Sequence, residues 1–407
     1  MTFLNFLAAN ARWLAAGFLL ALTSSFGQTY FISIFAGSIR SDFDLSHGAW
    51  GGIYLLGTSA SAVVMVWAGG LVDHLRIRVL GATVLGLLAL SCVAMAFVPN
   101  ATALVFVIFA LRFTGQGMTA HATTVSMARW FVATRGRALA IASLGFKSGE
   151  ALLPFIFVSL MAYFAWQKLW LLAALLVLLA IPLLVTLLRY ERTPQSLAKE
   201  NQAVGMGGHH WRRKQVLGNP LFWFMLPALL GPPCFMTSFF FQQVHIVEIK
   251  GFTHLGFVAL FPIFTLISAF SMVLTGVLID RFSTPRILPF CLAPMALGFA
   301  LAASGSTLTG MAVALGFLGL SQGASTVAFP ALWAEFYGTK HLGSIKAMAA
   351  AIMVAASAIG PGLTGALIDM NIDFGQQMYG IALYFALACI LVAAGMRWVK
   401  PFLAVPA

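Results

Sequence analysis

Apolar stretches of about 20 residues, the length a helix needs to cross the hydrocarbon core, recur along the whole of this 407-residue chain. Twelve are expected, at 12–36, 48–70, 77–98, 101–128, 137–162, 168–189, 219–246, 254–279, 286–304, 307–334, 343–368 and 376–398. Inside a bilayer every backbone N–H and C=O must find a partner within the protein, which leaves helices or a closed barrel. Uninterrupted runs of this length select helices. With 61% hydrophobic and 8% charged residues and a mean hydropathy of +0.95, the chain has more apolar surface than a water-soluble core could hide. The first stretch has Thr23, Ser24, Ser25 and Gln28 at its centre and no small-residue cleavage site, so it reads as a retained span.

The net charge of +12 would suit a nucleic-acid binder, but its distribution does not. With both termini assigned to the cytoplasm, only Arg40, Lys168 and Lys250 fall in outer loops, and Arg112 and Lys147 fall within spans. The other 18 of the 23 Lys and Arg lie on the inner side. Such a bias sets membrane orientation, and no nucleic-acid partner is expected. Cys92, Cys234, Cys291 and Cys389 all fall in spans without a paired motif and read as packed free thiols.

The longest polar interruption divides the chain into a six-span half at 1–190, a cytoplasmic linker at 191–217 and a second six-span half at 218–407. The halves repeat each other. Gly69, Asp73, His47, Gly136 and Pro154 recur 207 residues later as Gly276, Asp280, His254, Gly343 and Pro361, and Gln116–Gly117 recurs as Gln322–Gly323. An even number of spans per half makes this a parallel duplication about an axis along the membrane normal. Spans 3, 6, 9 and 12 are almost wholly apolar and are expected against lipid. The other eight carry hydroxyls, amides and charges and are expected around a wet centre.

Three charges lie well inside spans: Arg112, Lys147 and Glu150. A charge at mid-bilayer costs about 3 kcal/mol even on a forgiving scale, so such residues line an aqueous path or pair with one another. Two cations and one carboxylate leave a net positive site that favours an anion. Arg112 is the best anchor, because a guanidinium matches the geometry of a carboxylate. Glu150, the only carboxylate well within a span, is the candidate for proton coupling, and it lies one helical turn beyond Lys147. The competing reading is a buried ion pair that only joins spans 4 and 5. At 3.6 residues per turn Arg112, Gln116, Thr119 and Thr123 form one stripe on span 4, and Tyr54, Thr58 and Ser61 form another on span 2. His121 falls opposite Arg112. Gln28, Gln242, Gln243 and Gln322 supply amides that either contact a substrate or bridge helices. Ser46 and Thr253 are expected to cap the helices that begin at His47 and His254. His209 and His210 have no further ligands at metal spacing, so no metal is expected.

Between spans 2 and 3 the chain reads Gly69-Gly-Leu-Val-Asp73-His-Leu-Arg76-Ile-Arg78, and Gly276-Val-Leu-Ile-Asp280-Arg281 stands at the matching place of the second half. With Arg112-Phe-Thr-Gly-Gln116-Gly117 on span 4, and the run from Arg135 through Gly145 to Pro154 leading into span 5, this resembles the major facilitator superfamily over the whole chain. Two departures stand out. Arg76 occupies a position usually held by Gly, and Glu150 stands where drug/proton antiporters carry Gly-Pro. There is also a weak likeness to monocarboxylate and organic-anion carriers, without their first-helix motif. The resemblance implies an all-α membrane fold of twelve transmembrane helices in two pseudo-symmetric six-helix bundles, working by alternating access. It also implies a gating network of Asp73, Arg76 or Arg78, and Arg129, with Asp280, Arg281 and Glu335 as counterparts.

The expectation is therefore a non-enzymatic secondary transporter, monomeric in a bacterial inner membrane. It would move a small organic anion, a monocarboxylate among the candidates, together with protons. Proton-antiport efflux of a drug or metabolite is the alternative. The substrate site would draw on Arg112, Lys147, Glu150, Gln28, Gln116, Tyr54, Gln242 and Gln322. No phosphate-binding loop is present and no cofactor is expected.

Overall fold

The computed structural model describes residues 3–131, 134–190, 205–338 and 340–399. The side chain of Asp73 and residues 191–204 of the expected linker lie outside the described residues. Among the described residues there are 12 helical spans. They run Asn5–Gly27, His47–Ala68, Ile77–Ala96, Ala101–Trp130, Gly136–Met161 and Trp166–Leu187, then Pro220–Phe241, His254–Phe282, Thr284–Ser304, Leu308–Tyr337, Ser344–Asp369 and Phe374–Val399. They are numbered 1 to 12 below. The chain divides into two compact units, Met1–Lys199 and Glu200–Ala407, with six spans in each.

Span ends follow local chemistry. The Ser46 hydroxyl accepts from the Ala49 amide at 3.0 Å and the Thr253 hydroxyl from the Gly256 amide at 3.1 Å, so the duplicated caps form at the duplicated histidines. Asn100 caps span 4 and Asn219 caps span 7, where Pro220 occupies the first turn. A side-chain cap typically contributes about 1 kcal/mol. Ser46→Ala and Thr253→Ala are each expected to lower stability by about that amount, read as a fall in thermal midpoint in detergent; no change in either would remove the capping account.

The largest departure from the expected boundaries is span 1, predicted at 12–36. It begins earlier, and its α-helix ends at Thr23. A tight 3₁₀ turn covers Ser24–Gly27, Gln28 is extended (φ −89°, ψ 153°), and helix resumes at Thr29–Ile32. The run Thr23-Ser-Ser-Phe-Gly-Gln28 explains the break. Thr23 and Ser24 turn their hydroxyls back onto helix carbonyls, and Gly27, with no side chain, has a low preference for helix. Below the break an aromatic cluster fixes the outgoing segment. Phe31 packs edge-on against Phe26, Phe157 and Trp170, and Phe35 packs against Phe31 and Trp170.

Small residues bring the helices of each unit into backbone contact, which is how spans associate where no hydrophobic effect separates helix from lipid. A Cβ added at Gly27 would collide with the Leu111 carbonyl and lie 2.7 Å from the Gly115 Cα, so spans 1 and 4 cross glycine on glycine. In the second unit a Cβ on Gly319 would lie 2.7 Å from the Phe264 carbonyl oxygen, joining span 10 to span 8. Burial does not single out the apolar spans: in an 18-residue apolar stretch of span 3, 56% is buried, the same share as in such stretches of spans 7 and 10. An apolar helix packs on its neighbours as a polar one does; the difference lies in which side chains its remaining face exposes. On span 6 these are leucines, among them Leu175, Leu179 and Leu183.

From Gly205 onward the expected linker is ordered against its own unit. The Trp211 amide donates to the Tyr337 carbonyl at 3.2 Å, and the two rings meet edge to face at 5.7 Å. Gly207 and Gly208 take positive φ (64° and 72°) and turn the chain so that buried Met206 and half-buried Trp211 reach the end of span 10. A polar average over 191–217 hid these two apolar anchors.

Candidate functional site

Arg112 is 1% exposed, although it carries a full charge within a span. Its Nη1 donates to the Gly27 carbonyl at 3.1 Å and to the Thr29 hydroxyl at 3.4 Å. The guanidinium carbon stands 5.2 Å from the centre of the Tyr54 ring, and the Tyr54 and Thr29 hydroxyls share a hydrogen bond. The cation therefore closes the break in span 1, satisfying a carbonyl there, and rests on the electron-rich face of a tyrosine. Among the described residues it makes no ion pair, and Nε and Nη2 make no hydrogen bond; Nε is buried. That is the edge of the fork a carboxylate takes side-on, with two parallel charge-assisted bonds.

Span 4 presents Arg112 from a widened π-helical segment, Arg112–Thr119, set between α-helical turns. The expected uniform 3.6-residue stripe is corrected here. Thr119 donates from its hydroxyl to the Thr114 carbonyl five residues back, and Gly115 sits against Gly27. Two glycines in the turn weaken its α-helical preference, and π-turns of this kind recur at functional sites. Arg112, Thr119 and Thr123 remain buried, while Gln116 is half-buried and its amide has no hydrogen bond among the described residues. His121 faces away, bonded to the Gly69 carbonyl at 3.2 Å at the end of span 2, as its helical position indicated. The span 2 stripe of Tyr54, Thr58 and Ser61 is buried throughout.

Lys147 and Glu150 pair within span 5, Nζ to Oε2 at 2.8 Å, with side-chain exposures of 24% and 7%. The pair is internal to one helix, so it does not join spans 4 and 5, and Arg112 is not part of it. Segments of span 1 lie close by on that side. A Cβ on Gly149 would collide with the Ser25 hydroxyl, which accepts from the Tyr30 hydroxyl at 2.8 Å. Tyr30 stacks edge-on against Phe146 at 5.7 Å and lies within electrostatic reach of Glu150. Gln28, at the break itself, is buried; its backbone N–H donates to the Ser25 carbonyl at 3.0 Å, and its side-chain amide makes no hydrogen bond among the described residues. The break thus has Arg112 as one partner and the Lys147–Glu150 helix as another. Thr29 and Tyr30 were not anticipated from the sequence; the signal was Gly27-Gln28 in the middle of an apolar run.

The second unit lacks this charge set. At the repeat offsets Arg112 corresponds to Leu318, Tyr54 to Phe261, Lys147 to Val354 and Glu150 to Ser357. Its amides divide by role. Gln242 donates to the Thr364 hydroxyl at 3.2 Å and bridges helices, whereas Gln322 is half-buried with an Oε1 that lacks a partner.

For the expected gate, Arg129 donates to the Val72 carbonyl at 3.1 Å, the residue before Asp73. Arg76 is exposed and Arg78 half-buried. In the second unit Asp280, Arg281 and Glu335 are all exposed; among the described residues no ion pair joins them, and Arg281 instead lies over the Phe282 ring at 5.4 Å.

A family model described as Major Facilitator Superfamily matches residues 14–284 and 259–406. No curated protein matches the chain. Among solved structures, a bacterial homologue of the human lysosomal transporter Spinster is similar in two states. The inward-facing unoccupied form has a TM-score of 0.75 at 14% identity, covering 97% of this chain and 98% of that one. The inward-facing occupied form has a TM-score of 0.73 at 14% identity, with coverages of 98% and 99%. A nucleoside transporter, NupG, gives 0.66 at 15% identity, with coverages of 95% and 99%. At these identities the likeness carries the fold, whereas the family model spans both six-helix halves: the chain belongs to the major facilitator superfamily, a multi-pass membrane protein and secondary transporter.

Proposed function

We propose that this transporter carries a small organic anion, of which monocarboxylates are the simplest class, by proton-coupled alternating access. The observation that supports this reading is the unused Nε–Nη2 edge of a guanidinium that is buried in a span and, among the described residues, has no carboxylate partner. A buried charge without a counter-ion is costly in a membrane, and a substrate carboxylate supplies the missing partner with matching geometry. Gln28 and Gln116, whose side-chain amides have no hydrogen bond among the described residues, supply further donors and acceptors on the same unit.

Coupling to protons follows from charge. Each elementary charge moved against the membrane potential costs about 2.3 kcal/mol per 100 mV, so a monoanion that enters with one proton crosses without electrical work. Glu150 is the group assigned to that proton. When it is protonated its ion pair with Lys147 is lost.

Glu150→Gln is expected to lower proton-driven accumulation in vesicles by at least about tenfold while substrate exchange persists, the size of effect a lost charged hydrogen bond produces. Undiminished accumulation would take Glu150 out of the coupling step. Counterflow measured in both gradient directions separates uptake from proton-antiport efflux. Stimulation by an outward substrate gradient opposed to an inward proton gradient would favour efflux.

A further inference from the structure

At the end of span 6, on the side that the basic excess assigns to the cytoplasm, two arginines converge on one ring. The Arg12 guanidinium carbon lies 5.3 Å from the centre of the Tyr190 ring and that of Arg189 lies 5.8 Å from it. Arg12 Nη2 donates to the Thr186 carbonyl in the last turn of span 6 at 3.3 Å, and the Trp13 indole donates to the Tyr190 carbonyl at 3.0 Å. These two contacts seat span 1 against span 6. Among the described residues neither arginine has a carboxylate partner, and Arg12, Arg189 and Tyr190 are all exposed. Among the described residues, the two cations held together beside this helix C-terminus answer no internal carboxylate.

The surface leading to them is apolar. Leu175, Leu179 and Leu183 are exposed and recur at four-residue spacing along span 6, forming a hydrocarbon track that ends at Tyr190. Trp and Tyr at the rim of a span place this point at headgroup depth.

We propose that Arg12 and Arg189, braced by Trp13 and Tyr190, form a binding site for the phosphate headgroup of an anionic phospholipid, with its acyl chain along Leu175, Leu179 and Leu183. The guanidinium pair supplies charge and hydrogen-bond donors for the phosphodiester. The leucine track distinguishes a lipid from free phosphate, which would gain nothing from it. This site lies wholly within the first unit and is independent of the anion site at Arg112.

The test is native mass spectrometry of the full chain in detergent, titrated with phosphatidylglycerol or phosphatidylcholine. The unaltered protein is expected to retain phosphatidylglycerol preferentially. Arg12→Gln combined with Arg189→Gln is expected to lower that retention by about tenfold, while Arg286→Gln with Lys340→Gln, two exposed cations of the second unit, leaves it unchanged. Arg189→Gln alone, at a side chain whose one contact among the described residues is the Tyr190 ring, lowers it severalfold and guards against a folding defect in the double variant. Retention by the double variant equal to that of the unaltered protein, equal loss in the control pair, or displacement of the lipid by inorganic phosphate would each overturn the site.

Discussion

Arg112→Ala is expected to abolish stabilisation by small carboxylates and to lower their transport by at least about 100-fold. Two charge-assisted hydrogen bonds at about 1.5–3 kcal/mol each account for that factor. The same substitution also acts without substrate. It leaves the Gly27 carbonyl and the Thr29 hydroxyl without the donor they now share, and an unsatisfied buried polar group costs about 1–3 kcal/mol. The two effects are separated by Arg112→Lys. An ammonium can still reach the Gly27 carbonyl and keeps the charge, but it has no side-on edge for a carboxylate. The expected pattern is near-normal stability for Arg112→Lys without ligand, together with a loss of acid-dependent stabilisation. A thermal-shift screen of small carboxylates, amino acids and sugars against all three proteins reads both effects. If acids stabilise Arg112→Ala as strongly as the unaltered protein, the anion site is wrong and Arg112 is only the clasp on span 1.

Substitution at Gly27 is expected to be more damaging to the fold than any loss of charge. A methyl group there meets the Leu111 carbonyl and the Gly115 Cα, both backbone atoms that have no rotamer to yield. The crossing cannot simply widen, because the segment after the break is held by Phe31, Phe35, Phe157 and Trp170, each buried. Overpacking of a tight core costs about 1–3 kcal/mol and more where backbone must move. Gly27→Val is expected at or beyond the top of that range. It should express poorly and elute as aggregate in detergent, with Gly115→Val behaving alike because it approaches the same crossing from the other side. A monodisperse Gly27→Val protein with an unchanged thermal midpoint would show that the two helices do not touch as described. A milder change, Gly149→Ala, meets the Ser25 side chain instead of backbone, so its effect should be smaller and should appear in the Tyr30–Ser25 contact.

In the proposed function, anion recognition and helix geometry share one group. Arg112 holds the break in span 1 with one nitrogen and keeps its opposite edge unused. The duplicated fold does not repeat this arrangement, since Leu318 and Phe261 stand at the corresponding places. Charge chemistry within the spans is therefore concentrated in the first unit. The second contributes hydroxyls and amides, of which Gln242 is engaged in bridging and Gln322 is not.

The spans, their duplication and the i,i+3 pairing of Lys147 with Glu150 were legible from the amino-acid order because each depends on local rules. Hydrocarbon thickness sets helix length, a hydroxyl before His47 and His254 starts the helix, and helical rise places side chains three apart on one side. The break at Gln28, the widened turn at Arg112–Thr119, the clasp between them and the ordering of Trp211 on Tyr337 were decided by tertiary structure. The clasp and the Trp211 contact join residues far apart in the chain, and the break and the widened turn meet where Gly27 touches Gly115, a partner that periodicity cannot name. Composition could place a guanidinium inside the membrane; only the approach of Gly27 to Gly115, which brings the Gly27 carbonyl to Arg112, determined which of its nitrogens is occupied.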